Sequence, residues 1–270
     1  MLRTGVEQHF GRRLRVARLG NGPPLILLHG YPDTLQVWHR LANELKDSFQ
    51  IIAFDWPGMG YSDPWPGGAT PFHMADRVIT LLDLWKIKSA HIAGLDMGGQ
   101  PAAALSIRHP DRVRSLIVMN SLLQWDAATS WEISILRRFK WNRFALRRFP
   151  GLVFNRAVRT FLARGETLDG AVRSDMWESF QRPDTREYIV RMCAAFEGSL
   201  PQLAAEYSRL HVPTLLLWAE HDKHFPVQHA KSVELAAFSA EVRIVPGAHH
   251  WMPLSMSSLV ADHIRGFTQG

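Results

Sequence analysis

The run Gly94-Leu95-Asp96-Met97-Gly98-Gly99 constrains this chain more than any other stretch. Before it, Ala90 to Ala93 reads as a short buried strand, and after it the alanine-rich Gln100 to Arg108 reads as a helix. Strand, sharp turn and helix in such close succession hold the central residue in a strained conformation with its side chain presented outward. Gly94, Gly98 and Gly99 let strand and helix approach closely enough to make the turn. The apex is a carboxylate. Near neutral pH it needs no base to deprotonate it, and it can displace a leaving group from carbon to form an ester with the protein itself.

With 270 residues, 46% of them hydrophobic, the chain can build one large α/β domain carrying an insertion. A single cysteine, Cys193, excludes an intramolecular disulfide and supplies no zinc-ligand cluster. His221, His224 and His229 lack the helical spacing of a metal site and read as loop and surface histidines, so no metal is expected. The start, Met1-Leu2-Arg3-Thr4, has no apolar signal segment, and no apolar run approaches the roughly 20 residues that span a bilayer; a cytoplasmic protein is expected. The net charge of +6 is concentrated between Trp131 and Arg164, where Arg137, Arg138, Lys140, Arg143, Arg147, Arg148, Arg156, Arg159 and Arg164 face little beyond Glu132. On a helical wheel Ile135, Phe139, Leu146 and Phe149 share one side, and most basic residues, with Trp141 and Phe144, the other. That is the pattern of an amphipathic helix packed on a globular body. It argues against a nucleic-acid partner or firm membrane association; a homodimer is compatible with it.

Strands are expected at Leu14–Arg18, Leu25–Leu28, Ile51–Asp55, Ala90–Ala93 and Val113–Met119, and helices at Leu35–Leu45, His73–Trp85 and Gln100–Arg108. Their alternation implies a mostly parallel sheet covered by helices on both faces, with ligand chemistry at the carboxyl ends of the strands. From Leu122 to Leu210 the spacing is helical and no strand is evident; the α/β rhythm then resumes with strands Thr214–Trp218 and Glu241–Val245 and helices Val227–Ala237 and Leu254–Phe267. This divides the chain into a core domain, 1–121 and 211–270, and an inserted helical cap, 122–210.

Four further motifs fall at strand ends: His29-Gly30-Tyr31-Pro32, the turn-rich Asp55 to Ser62, Trp218-Ala219-Glu220-His221-Asp222 and Pro246-Gly247-Ala248-His249-His250-Trp251. Nucleophile, acid and histidine follow in that order. Together these motifs resemble the α/β-hydrolase superfamily over nearly the whole chain. The aspartate at the turn and the His-Gly-Tyr-Pro motif resemble its branch of epoxide hydrolases and haloalkane dehalogenases. The resemblance implies Asp96 as nucleophile, Asp222 as the acid that orients the base, His250 as the base with His249 as runner-up, and the N–H groups of Tyr31 and Met97 as oxyanion donors. It implies a cofactor-independent hydrolase acting on a small apolar substrate with an electrophilic carbon.

The leaving group is less constrained. Haloalkane dehalogenases usually carry tryptophan directly after the nucleophile and fluoroacetate dehalogenases arginine, whereas this chain has Met97, whose thioether donates no hydrogen bond. Epoxide hydrolysis, with ring oxygen activated by cap tyrosines, is therefore the first expectation, and Tyr188, in Thr185-Arg186-Glu187-Tyr188-Ile189, is a better candidate than Tyr207. Trp38, Trp125 and Trp251 are candidate pocket walls. A haloalkane or haloacid dehalogenase using N–H donors such as Trp38, Trp125 or Trp177 is the alternative; a non-hydrolytic ligand-binding protein on the same fold is the third.

Overall fold

The computed structural model describes residues 1–138, 140–234, 236–237 and 240–269, with side chains at all of these except 136–138 and 140–142. Eight strands form one sheet: β1 (Gly5–His9), β2 (Arg12–Leu19), β3 (Pro24–Leu28), β4 (Gln50–Phe54), β5 (Ala90–Leu95), β6 (Val113–Met119), β7 (Thr214–Ala219) and β8 (Ala240–Val245). Their order is β1-β2-β4-β3-β5-β6-β7-β8. β1 and β2 join antiparallel, as do β2 and β4, and the other pairs are parallel. The largely apolar sequences of β3, β5 and β7 suit strands buried on both faces. β3 pairs with β4 on one side and β5 on the other, so the winding reverses between β3 and β5. A crevice opens there at the carboxyl ends of the strands, and His29–Tyr31 and Asp96 lie on its two sides.

The core helices are α1 (His39–Leu45), α2 (Pro71–Leu84) and α3 (Gly99–Arg108). Between β6 and β7 lie α4 (Trp131–Arg138), α5 (Lys140–Arg148), α6 (Pro150–Phe161), α7 (Gly170–Phe180) and α8 (Pro183–Ala205), called the cap below. The chain closes with α9 (Val227–Glu234), α10 (Met252–Ser255) and α11 (Ser257–Thr268). α2 begins two residues before the expected His73, because Thr70 accepts the His73 N–H as an N-cap and Pro71 needs no N–H partner.

Sequence reading misses β1, a largely exposed edge strand with little apolar content. It is joined to β2 through Phe10 and Gly11, both at positive φ, the geometry of a two-residue hairpin turn. In the basic segment, Leu146 is buried and Ile135 half-buried as the helical wheel expects. Phe149 departs from it: it precedes Pro150 at the start of α6 and packs edge-on against Phe144, both exposed. Phe139 and the side chains of Arg137, Arg138, Lys140 and Trp141 lie outside the described residues.

A buried ion cluster fastens α7 to the core. Arg15 on β2 donates to Asp175 through both terminal nitrogens, at 2.7 and 3.1 Å, and to Asp55 at 3.3 Å. Thr34 Oγ1 donates to the same Asp175 carboxylate at 2.6 Å, and the Leu35 N–H to Asp55 at 2.7 Å, so the cluster also grips the chain just beyond the β3 loop. Asp175→Ala would leave Arg15 buried with only the longer contact to Asp55. A loss of about 3–5 kcal/mol is expected for one partner removed from a buried pair. Urea unfolding measures it, and a loss indistinguishable from that of an exposed control pair such as Arg147–Glu187 would remove the cluster's structural role.

Candidate active site

Asp96 sits at φ +49, an unusual conformation for a residue with a side chain. The neighbouring glycines are required by space: a Cβ on Gly94 would lie 2.3 Å from the Gly98 carbonyl oxygen, and one on Gly98 would lie 2.0 Å from that of Leu28. This close approach brings the carboxylate against the β3 loop, where the Tyr31 N–H donates to Asp96 Oδ2 at 2.9 Å. The Met97 N–H also donates to it. Ser121 Oγ, at the end of β6, donates to the Asp96 carbonyl at 2.6 Å. The loop itself is held by His29. Its Nε2 accepts the Trp56 N–H at 3.2 Å, so Nδ1 carries the proton given to the Gly30 carbonyl at 2.9 Å.

His250 is fully buried, and its Nδ1–H donates to Asp222 Oδ2 at 2.7 Å. Asp222 Oδ1 accepts the N–H groups of His224 and Phe225, at 2.7 and 3.0 Å. These bonds fix the imidazole tautomer and leave Nε2, which has no hydrogen-bond partner among the described residues, as the proton acceptor. Asn120, at φ +45, ties the strand ends together by donating to the His250 carbonyl and accepting the Ala219 N–H, each at 2.9 Å. His249 lies beside His221 and makes no contact with Asp222 comparable to that of His250.

Sequence reasoning missed Asp33. It is buried, accepts the Trp251 indole N–H at 2.9 Å and the Gly30 N–H at 3.3 Å, and so joins the His250 loop to the loop after β3. In the sequence only the preceding Pro32 marks it, and as a turn residue. Three carboxylates thus surround one imidazole. Burial pushes Asp33 up to about 7, helped by the charge of Asp96, and pushes Asp96 up to about 6 against the pull of His250 and its two N–H donors. Burial also raises Asp222, but His250 and the two N–H groups on Oδ1 bring it below the ordinary carboxylate range. For His250 burial acts downward, and the charges of Asp222, Asp96 and Asp33 together raise it above an ordinary imidazole.

A cavity of about 30 Å³ opens at Asp96, lined by Tyr31, Met97, Gln100, Leu122, Ile133, Cys193, Phe196 and Phe225. A second, of about 230 Å³, lies under α4, α5 and α6 and is lined mainly by apolar side chains, including Leu146, Leu152, Val153 and Phe161. Tyr31 and Ile133 line both. The cap tyrosines are not brought to Asp96. Tyr188 accepts a 2.6 Å hydrogen bond from Arg77, its ring packs on Gly58, and it lines neither cavity. The Tyr207 hydroxyl donates to the Leu123 carbonyl. Nor do Trp38, Trp125, Trp177 and Trp251 line either cavity; the Trp251 N–H is engaged by Asp33. His224 is buried between Ser130 and Thr160, and His229 Nε2 accepts the Leu123 N–H. Among the described residues no group of three His, Cys, Asp or Glu could hold a metal ion, and no helix is long and apolar enough to cross a membrane.

A family model for the alpha/beta hydrolase fold matches residues 23–255. The chain belongs to the α/β-hydrolase fold family. Among its relatives, the dihydrolipoyllysine-residue acetyltransferase component of the acetoin cleaving system of Cupriavidus necator is 36% identical over 265 residues, 95% of this chain and 67% of that protein. Mouse epoxide hydrolase 4 is 23% identical over 284 residues, 98% of this chain and 77% of its own. The solved structure of the enol-lactonase from Burkholderia xenovorans LB400 shares the fold, with a TM-score of 0.82 at 22% identity, covering 98% of this chain and 100% of that one.

The raised Asp96 has a consequence for stability. Its pKa is about 6 when folded and near 3.8 when unfolded, so the folded state binds the proton more tightly. Wild-type stability is therefore lost as pH rises through this window. Asp96→Asn has no carboxylate to desolvate and escapes that loss. The variant should melt above wild type beyond about pH 6 and lose the advantage toward pH 4. Calorimetry across that range tests this; an advantage independent of pH would contradict the raised carboxyl.

Proposed function

We propose that this α/β hydrolase works through a covalent alkyl ester on Asp96 and that its substrate is an epoxide. The observation that carries the reading is the division of labour within one carboxylate. Oδ2 is held by the Tyr31 N–H, so Oδ1 is the atom left to attack. Attack on a saturated carbon makes an ester whose carbonyl oxygen is Oδ2, already seated on the donors that stabilise a tetrahedral oxyanion. Attack by the same carboxylate on an ordinary ester would instead make an anhydride, a high-energy intermediate. His250 Nε2 then takes a proton from water as it adds to the Asp96 ester carbonyl, and Asp222 stabilises the imidazolium.

The charges around His250 give the sequence of steps a built-in order. While Asp96 is ionised it helps to raise His250. Once alkylated it is neutral, that support disappears, and His250 becomes easier to deprotonate just when a base is required. Epoxide is preferred to halide because no tryptophan lines the cavity at Asp96, the one indole on the larger cavity being that of Trp131, and Met97 donates no side-chain hydrogen bond. The larger apolar cavity suits a hydrocarbon arm, each buried methylene contributing about 0.8 kcal/mol.

His250→Gln should be alkylated at Asp96 by styrene oxide yet fail to release diol, leaving an adduct visible by intact mass and assigned to Asp96 by peptide mapping. Single-turnover alkylation by wild type should weaken as pH falls below about 6, where the nucleophile is protonated. Diol release by Asp96→Ala at the wild-type rate would overturn the reading.

A further inference from the structure

Opening an epoxide leaves an alkoxide, which must take up a proton, and the structure places neither cap tyrosine at Asp96. The chain has four tyrosines. The Tyr61 hydroxyl donates to Glu178 at 3.0 Å, that of Tyr207 is given to the Leu123 carbonyl, and that of Tyr188 is gripped by Arg77 on the far side of the Gly58 loop. Tyr31 remains. Its backbone N–H holds Asp96, and its side chain lines the Asp96 cavity with its ring edge-on to Phe180 at 5.7 Å. Among the described residues its hydroxyl makes no hydrogen bond.

The other polar side chains on that cavity are poorer donors. Gln100 gives its amide hydrogen to the Leu122 carbonyl at 2.9 Å, and its buried Oε1 can only accept. Cys193 carries a thiol, a weak hydrogen-bond donor whose pKa burial pushes up to about 12. Tyr31 is itself driven well above an ordinary phenol, by burial first and then by its neighbours Cys193, Asp96 and Asp33, which keeps it protonated in the resting state.

Resting on the epoxide reading above, we infer that the Tyr31 hydroxyl is the acid that protonates the leaving oxygen, so that one residue supplies both the oxyanion N–H and the leaving-group proton. Asp96 Oδ1 forms a bond to a ring carbon as that carbon's bond to the ring oxygen breaks. The electron pair goes to the ring oxygen, which takes the Tyr31 proton and leaves a phenolate. An alkoxide is far more basic than even a strongly raised phenol, so the transfer runs downhill. Water then adds to the ester carbonyl, giving one proton to His250; collapse expels the second alkoxide, which takes that proton from His250. The other water proton, left on the regenerated Asp96 carboxyl, returns to the Tyr31 phenolate. The sum is epoxide plus water to diol, with every protein group restored.

Tyr31→Phe keeps the ring and the backbone N–H and removes only the hydroxyl. The test measures pre-steady-state alkylation of Asp96 by styrene oxide and by phenethyl bromide, a matched carbon frame whose leaving group needs no proton. The Tyr31→Phe rate with styrene oxide should fall by about 10²–10⁴-fold, the usual worth of a general acid, while its rate with phenethyl bromide falls far less. Tyr188→Phe, Tyr207→Phe and Cys193→Ala should each keep the wild-type ratio of the two rates. Equal losses on both probes, or an epoxide-specific loss in one of the three control variants, would overturn the assignment. Failure of the underlying reading looks different: no adduct on Asp96 with either probe, even in His250→Gln, which would take the Tyr31 role down with it.

Discussion

The contact on which the site depends is the approach of the Asp96 turn to the end of β3. Gly98 lies so near the Leu28 carbonyl that no side chain fits, and Gly30 lies so near Asp96 that a Cβ there would meet its side chain at 2.5 Å. Holding a non-glycine residue at φ +49 costs on the order of 1–3 kcal/mol. The surrounding structure imposes it, through the Tyr31 and Met97 N–H groups on the carboxylate and Ser121 on the carbonyl. The loop after β3, the Asp96 turn and the end of β6 are thereby one rigid unit. Asp33 and Asn120 extend it to the histidine loop, through Trp251 and the His250 carbonyl.

That rigidity allows carboxylates to crowd in a dry place. Asp33, Asp96 and Asp222 all act on His250, yet only Asp222 is held low: the charge of His250 and its direct hydrogen bond, helped by the Phe225 and His224 N–H groups on the other oxygen, outweigh burial. Asp33 and Asp96 are dominated by desolvation and stand near 7 and 6. In the mechanism proposed above, the difference separates roles: a charged Asp222 to orient the base, and a poorly solvated Asp96 whose charge is consumed in forming a bond.

The sheet and the Asp96, Asp222 and His250 positions were legible because each follows an apolar run long enough to be a strand, and strand ends converge at the winding reversal. The hidden parts were those whose meaning depends on direction. Tyr188 was chosen for its chemistry, but on α8 it lies about 140° around the helix from Cys193, at roughly 100° per residue, and it is Cys193 and Phe196 that face Asp96. Helical phase relative to a distant strand is not written in one sequence. Asp33, in a Pro-Asp-Thr turn, looked like any loop aspartate, and its bond to Trp251 spans 218 residues. β1 was missed because an exposed edge strand has no apolar pattern to display.

The cap raises a different constraint. About 30 Å³ beside Asp96 holds a few waters at most, so an organic epoxide enters only if Tyr31 or Ile133, the two side chains between that space and the larger apolar cavity, gives way. Ile133 is on α4, whose packing is chiefly with α5 and α8 inside the cap. Tyr31 is on the β3 loop, tied to Asp96 by its own backbone. Movement therefore falls to the cap. A proton donor carried on a cap helix would shift with every such opening and would have to be re-aimed at each turnover. One carried on the loop after β3, as proposed for Tyr31, would keep its position relative to Asp96 however the cap moves, leaving the cap free to set which hydrocarbon arm is admitted.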